Sequence, residues 1–197
     1  MKKFLTILFL LVFAVACQQE DTLLTERDKI EKYLTSSRRM VSEEEVGNVI
    51  QENPPFYNVF GRYAYRHIVN YHDADRDSRA VVEWEDRVEI RFDAYIFTGS
   101  EPTIANLYWS NIHETILKVA ERSNYTLDWS EEPLAIDLGT TEILKGLELT
   151  LPGCREADSV QVFMTSELAY GKKLIGIVPK NSMVAWYMKI EKVTKKI

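Results

Sequence analysis

The stretch from Val88 to Ile96 limits the fold more than any other part of the chain. Val88, Ile90, Phe92, Ala94 and Ile96 alternate with Glu89, Arg91 and Asp93. Successive side chains of a strand point to opposite faces, so one face is apolar and the other solvated, as a half-buried antiparallel strand requires. Tyr63, Tyr65, His67, Val69 and Tyr71 form an earlier alternating set, separated from it by a polar turn at His72 to Arg79. Ile136 with Leu138, Val160 with Val162 and Met164, and Val184 with Trp186, Met188 and Ile190 predict three more short strands. Helical spacing appears at Ile112, Ile116 and Val119, predicting a helix from Asn111 to Arg122, and in a brief run through Ile143, Leu147 and Leu151. The expected class is α+β, with several strands curled around one short helix.

Ahead of Gly61 the pattern is helical. From Thr25, the spacing of Ile30, Tyr33 and Leu34 predicts one apolar stripe. Ser42-Glu43-Glu44-Glu45 has the form of a capping box, flanked by Val41 and Val46 at the two positions of a hydrophobic staple. A second helix is therefore expected from Glu43, burying Val46, Val49 and Ile50. Asn53-Pro54-Pro55 ends it, because proline lacks a donor and disfavours helical geometry in the residue before it. Residues 25–55 are expected to form a helical appendage, and residues 61–197 the main domain.

The chain opens with Met1, Lys2 and Lys3, then runs from Phe4 to Val15 with only Thr6 polar. A charged head and an apolar core too short to span a bilayer predict a secretory signal over residues 1–16. Ala14-Val15-Ala16-Cys17 resembles the lipobox cut by bacterial lipoprotein signal peptidase. That resemblance implies a lipoprotein whose Cys17 is acylated, with palmitate among its chains, and residues 17–24 are expected to be a lipidated tether. Several acyl chains give stable anchoring where one would be marginal. The expected location is the cell envelope, on the periplasmic or surface face of the outer membrane. Cys154 is then left without a disulfide partner and is expected to be a buried thiol. With 24 basic against 30 acidic side chains the net charge is -6, and loss of Lys2 and Lys3 makes it more negative, so nucleic acid is not an expected partner.

Three motifs in order carry a family resemblance. They are Pro133-Leu134-Ala135-Ile136-Asp137-Leu138-Gly139, then Glu142-Ile143-Leu144-Lys145-Gly146-Leu147-Glu148, then Leu168-Ala169-Tyr170-Gly171. Gly176-Ile177-Val178-Pro179-Lys180-Asn181-Ser182 and the strand from Met183 to Val193 continue the match, and Val88 to Gly99 extends it upstream. Together they resemble the FKBP-type peptidyl-prolyl cis-trans isomerases, leaving about residues 100–132 as an insertion of the kind surface loops tolerate. The resemblance implies a curved antiparallel sheet wrapped on a short helix, with a shallow apolar cavity between them. It implies catalytic positions at Tyr170, Leu144, Leu147 and Trp186, and substrate-binding positions at Phe92, Leu134, Glu142, Ile143, Ile177 and Val178. The Tyr170 hydroxyl and the Leu144 N–H would bond substrate carbonyls, and Leu147 would form the floor.

The chain departs from the family pattern at several of these places. Phe92 stands where the family often has tyrosine, and Leu147 replaces the common tryptophan floor. The family's Phe-Asp pair beyond Gly99 is missing, with either Pro102-Thr103 or Tyr108-Trp109 in its place. The loop from Gly171 to Gly176 is one residue shorter.

Other chemistries find little support. Asp73-Ala74-Asp75-Arg76-Asp77 begins like a calcium loop, but Ser78 and Trp84 stand where its glycine and bidentate glutamate belong. His67, His72 and His113 lack close metal-ligand spacing, and there is no phosphate-cradling glycine loop or Gly-x-Ser-x-Gly elbow. No cofactor or metal is expected. The expected function is peptidyl-prolyl isomerisation that assists protein folding at the bacterial envelope, acting on proline-containing segments. The alternative is a non-catalytic FKBP-like chaperone or envelope-complex subunit.

Overall fold

The computed structural model describes residues 21–37, 39–61, 63–123 and 128–196. The expected signal, the lipobox and Cys17 lie outside them. Helix α1 covers residues 21–32 and continues as a π turn over Tyr33–Ser37. Strands β1 (Val41–Ser42), β2 (Phe56–Phe60), β3 (Ala64–Ile68), β4 (Arg87–Ile96) and β5 (Leu107–Ser110) precede helix α2 (His113–Ser123). Then come β6 (Leu134–Asp137), helix α3 (Lys145–Thr150), β7 (Ser159–Met164) and β8 (Val184–Thr194). They build one sheet in the order β1-β2-β3-β7-β8-β4-β5, with β6 also paired to β4. Among these strands only β1 and β2 run parallel.

The spine is the ladder between β4 and β8, from Arg87 opposite Thr194 to Ile96 opposite Val184. Val88, Ile90, Phe92 and Ala94 are all buried, as the alternation predicts. Irregularities between Glu89 and Ile90 on the β8 side, and between Ala94 and Tyr95 on the β5 side, bend this long strand. Helix α3 packs on the main face of the sheet with Gly146, Leu147 and Thr150 buried. A glycine is needed there, because a Cβ on Gly146 would lie 2.6 Å from Met164 Sδ.

The opposite face of the same sheet carries a second core, which the sequence reading did not contain. Ile30, Tyr33 and Leu34 pack with Tyr65, Phe97, Phe163 and Ala185. Tyr65, Phe163 and Ala185 alternate along their strands with Ala64, Val162 and Val184, which belong to the main core. Covered on both faces, β3 is buried at every position. The amino-terminal helix of the expected appendage forms a layer on this face of the sheet, and residues 21–24 are helical with Leu23 buried, where a tether was expected.

The helix expected from Glu43 is instead a 3-10 turn over Glu43–Asn48 that buries nothing. Ser42 makes no side-chain cap bond; its backbone is committed to β1, opposite Tyr57 of β2. Ile50 is fully exposed, so the expected buried face of Val46, Val49 and Ile50 does not exist.

The region expected as an insertion is also partly structural. Strand β5 pairs with β4, and Asn111 ties the start of α2 to it by imitating a strand residue. Asn111 Oδ1 accepts from Phe92 N–H at 2.7 Å, and its Nδ2 donates to the carbonyls of Ile90 and Glu132 at 3.0 Å each. Asp93 accepts from Ser110 Oγ at 2.6 Å and Thr115 Oγ1 at 3.2 Å. These bonds hold Tyr108 and Trp109 at the edge of the concave side.

Candidate active site

A cavity of about 1010 Å³ opens between α3 and the concave side of the sheet. Leu147, only 1 % exposed, lies at its base, and Ile143 and Leu144, both half-buried, precede it. Leu144 is the N-cap of α3, its backbone extended, and its carbonyl accepts from the N–H groups of Leu147 and Glu148 at 2.9 and 3.0 Å. The far end of α3 is fixed by Arg66, which donates to the carbonyls of Thr150 and Pro152 at 2.8 and 2.7 Å while its guanidinium covers the Phe60 ring. The floor is thus held at both ends by hydrogen bonds.

The wall opposite is aromatic. Trp186 on β8 stacks on Phe92 of β4 with ring centroids 4.4 Å apart. Trp109 meets both edge-on, at 4.7 Å from Phe92 and 5.7 Å from Trp186. The Trp186 indole N–H donates to the Tyr108 hydroxyl at 2.8 Å, and the Tyr170 hydroxyl donates to the same oxygen at 3.3 Å. Burial pushes the Tyr108 phenol well above its ordinary pKa, and lifts that of Tyr170 as well, so both are neutral donors at any physiological pH. Such a site offers a largely apolar, aromatic wall and hydroxyl hydrogen bonds.

Tyr170 hangs from a compact turn. Residues Ser166–Leu168 form a 3-10 turn, and the Ser166 carbonyl accepts from Gly171 N–H at 2.7 Å. Gly171 has a φ of +56°, a conformation costly to residues with a side chain, so glycine is what lets the chain reverse directly after the phenol.

Of the residues implied by the resemblance, Leu134, Glu142, Ile143, Leu144, Leu147, Tyr170 and Trp186 all line this cavity. Phe92, Val178 and Ile177 do not. Phe92 and Val178 are fully buried in the main core, Phe92 standing behind Trp186 as its backing. Ile177 sits on a tight hairpin, bridged by Ile175 and Val178, and is 65 % exposed. The missing pair beyond Gly99 is resolved too: Tyr108-Trp109 lies on β5 beside the site, whereas Pro102-Thr103 precedes the short turn Ile104–Asn106. The sequence reading missed Thr22, Leu23 and Ser166 as lining residues. No local signal marks them, because their place depends on where α1 docks.

Cys154 is fully buried, and burial pushes its thiol up to about 11, which removes it as a nucleophile near neutral pH. The carboxylates of Asp73 and Asp75 are bonded to Arg79 at 2.8 and 2.6 Å. Among the described residues no group of three or more His, Cys, Asp or Glu side chains is placed to hold a metal, and no helix is long and apolar enough to cross a membrane.

Residues 117–191 match the family model of the FKBP-type peptidyl-prolyl cis-trans isomerases. No curated protein sequence matches the chain. Among solved structures, the three FKBP domains of wheat FKBP73 superpose with a TM-score of 0.54 at 14% identity, over 72% of this chain and 52% of that one. The present chain therefore spans about half the length of that three-domain wheat chain. The N-terminal domain of FKBP42 from Arabidopsis thaliana gives 0.52 at 14% identity, over 75% of this chain and 98% of that domain. With the sheet, the helix on its concave side and the solved structures in agreement, the chain has the FKBP fold, and its residues 117–191 are similar to the FKBP-type peptidyl-prolyl cis-trans isomerases.

Proposed function

We propose that the protein is a lipid-anchored peptidyl-prolyl isomerase of the bacterial cell envelope, which speeds proline-limited folding of exported chains. The observation that carries the reading is that the cavity over Leu147 is open and not filled by the chain's own aromatic side chains. Tyr108 and Trp109, the two candidates for filling it, are held by their contacts with Trp186 and Phe92.

Rotation about the amide before proline is opposed by about 18–20 kcal/mol, because conjugation keeps the bond planar. No bond is broken. A dry hollow that grips the prolyl ring and favours the twisted amide lowers the barrier by binding the transition state better than either planar form. In this reading Leu147 and Trp186 seat the ring. The Tyr170 hydroxyl and the Leu144 N–H bond the flanking carbonyls. Glu142, Ile143 and Leu134 line the approach. Desolvation weakens conjugation by stripping water from the carbonyl, which the low polarity of this wall provides.

The lipobox and the apolar run before it support anchoring through Cys17, with the catalytic domain displayed at the envelope surface. Leu174 and Ile177, 64 and 65 % exposed on the hairpin beside the cavity, favour a second role in holding an unfolded segment while its prolines isomerise. The test is acceleration of cis-to-trans conversion in a proline-containing peptide. The expected result is catalysis that falls steeply in the Tyr170→Phe, Trp186→Ala double variant. Activity unchanged by that pair would place the site elsewhere, and none above background would leave the holding role alone.

A further inference from the structure

The hairpin beside the cavity carries its apolar residues on the outside. Its base is closed where Asn181 N–H donates to the Gly171 carbonyl at 2.7 Å, and its tip where Ile175 and Val178 exchange backbone bonds of 3.2 and 2.8 Å. Val178 is buried in the main core and pins the tip, while Gly176 turns it with a φ of +53°. With Val178 inside and the turn fixed, Leu174, Ile175 and Ile177 are left exposed. Three large aliphatic side chains within four residues make a patch, unlike the single exposed hydrophobes that are ordinary on a protein surface.

The patch has a cationic frame. Lys172, Lys173 and Lys180 flank it and are exposed, and no acidic residue occurs between Glu167 and Glu191, in a chain whose net charge is -6. Holding an unfolded polypeptide requires no such frame. An anionic bilayer surface matches both parts: aliphatic side chains enter the boundary between headgroups and acyl chains, and lysine stems follow them while each ammonium stays at the phosphates.

The start of α1 lies on the same side of the molecule. Thr22 lines the cavity together with Lys172, Lys173 and Ile175. Glu26, one turn further on, is buried and accepts from Ser166 N–H at 2.8 Å and from Ser166 Oγ at 2.9 Å. The helix start is thereby fixed against the turn that leads through Tyr170 into the hairpin. Cys17 lies four residues before Asp21, and a chain extends by at most about 3.6 Å per residue, so it stands within roughly 14 Å of that helix start whatever its path. An acyl group on Cys17 would therefore keep the hairpin at a high effective concentration next to lipid.

Building on the reading of Cys17 as the lipid anchor, we propose that residues 172–180 form a second membrane contact: Leu174, Ile175 and Ile177 insert into an anionic bilayer surface, and Lys172, Lys173 and Lys180 hold its phosphates. An acyl anchor alone sets the distance from the membrane, whereas a second contact also sets the orientation. The cavity, bordered by this hairpin, then opens beside the lipid, and the proline segments that reach it belong to chains lying close to the membrane.

The experiment uses the full chain recovered from membranes, reconstituted in vesicles of phosphatidylglycerol and phosphatidylcholine, and labelled at Leu174→Cys with an environment-sensitive fluorophore. Cys154 is buried and an acylated Cys17 has no thiol, so the label is single. Lys192→Cys is the control, exposed and eight residues along β8 from Val184, roughly 26 Å from the hairpin end of that strand. The Leu174 label should shift to the blue and be quenched by lipid-borne nitroxides, and the Lys192 label should do neither. Lys173→Gln with Lys180→Gln should lower the ratio of docked to undocked hairpin about twentyfold, because each lysine at an anionic surface contributes about fivefold. Ile177→Ser should lower it too, with an unchanged urea midpoint, since that side chain is exposed. Equal signals from the two labels, or a Leu174 signal unaltered on pure phosphatidylcholine and by the lysine changes, would overturn the proposal. So would a Leu174 label that responds to a reduced, carboxymethylated protein and not to vesicles, which assigns the hairpin to holding polypeptide. Mass spectrometry of the peptide containing Cys17 tests the anchor separately. If no acyl group is found the anchor reading fails, and the Leu174 label in the Cys17→Ser chain, on the same vesicles, decides the hairpin by itself.

Discussion

The Trp186 indole and the Tyr108 hydroxyl are joined by a 2.8 Å hydrogen bond across the back of the cavity, linking the last strand to the short strand β5. Because the indole can only donate, Tyr108 must be the acceptor, and the same oxygen stands 3.3 Å from the Tyr170 hydroxyl. In the free protein Tyr170 donates to Tyr108. Once a substrate carbonyl accepts a hydrogen bond from Tyr170, the Tyr108 hydroxyl can turn to donate to the Tyr170 oxygen, so each bond in the chain strengthens the next. Tyr108→Phe removes the acceptor of a buried N–H and the partner of Tyr170 together. It should lower kcat/KM about tenfold, roughly the worth of one such bond, and reduce stability by about 1–3 kcal/mol. Isomerisation kinetics and urea unfolding check the two effects separately.

A second prediction concerns the anchor of the loop before β4. Arg76 and Asp158 form a bidentate pair, with 2.9 and 2.7 Å contacts, and both side chains are almost wholly buried. Asp158 also accepts from Arg155 N–H at 2.8 Å. Removing one partner leaves an uncompensated buried charge, so Asp158→Ala should cost about 3–5 kcal/mol. Replacing both partners, as in Arg76→Met with Asp158→Leu, should cost much less than the single change. The two midpoints in urea measure the difference.

Alternation made the spine of this fold legible: β4, β7 and β8 appear in the sequence as apolar residues two apart, because each keeps one face in the main core. β3 could be read as a strand, but not as one buried on both faces. Its second cover, α1, docks through contacts distant in sequence. β2 is not legible in the sequence, because Phe56-Tyr57-Asn58-Val59-Phe60 follows directly on Asn53-Pro54-Pro55 and does not alternate regularly between apolar and polar residues. The capping box at Ser42 misled for a physical reason, since pairing with β2 competes for the backbone that the cap would use. At the candidate site, the motifs name Leu147, Tyr170 and Trp186, which line the cavity. They place Ile177 and Val178 in the wall, although the tight hairpin buries one and exposes the other. Thr22 and Leu23 were out of reach altogether, being brought to the cavity by the Glu26 bond to Ser166.

Gly146 offers a third prediction. A methyl group there would stand 2.6 Å from Met164 Sδ and 3.1 Å from its Cβ, so the conflict involves more than the flexible end of the side chain. Alanine favours a helix over glycine by about 1 kcal/mol, whereas overpacking a core costs about 1–3 kcal/mol. Gly146→Ala should therefore destabilise the protein by about 1 kcal/mol, and it should lift α3 with the Leu147 floor, raising KM for proline peptides. Adding Met164→Ala removes the sulfur and terminal methyl but keeps the Cβ at 3.1 Å, so KM should recover in large part even though that truncation lowers stability in its own right.

The last prediction sets two carboxylates against each other. Burial alone would raise the Asp86 carboxyl, but Lys195 Nζ at 2.9 Å, Glu83 N–H at 2.8 Å and Lys196 N–H at 3.2 Å outweigh it and hold the group below the ordinary range. A depressed native pKa means that its stabilising contribution is complete above the unfolded value of about 3.9 and is lost as pH falls through the native value. Glu26 runs the other way. Its native pKa is raised, so its contribution is complete below the unfolded value of about 4.3 and is lost as pH rises through the native value. Acidification should thus first raise stability, by relieving the cost of burying the Glu26 charge, and only then lower it as the end of β8 loosens from Asp86. In urea titrations at successive pH values, Asp86→Asn should flatten the acid limb below about pH 4, and Glu26→Gln should flatten the change above it. If each variant altered the opposite limb, the assignment of the two carboxylates would be reversed.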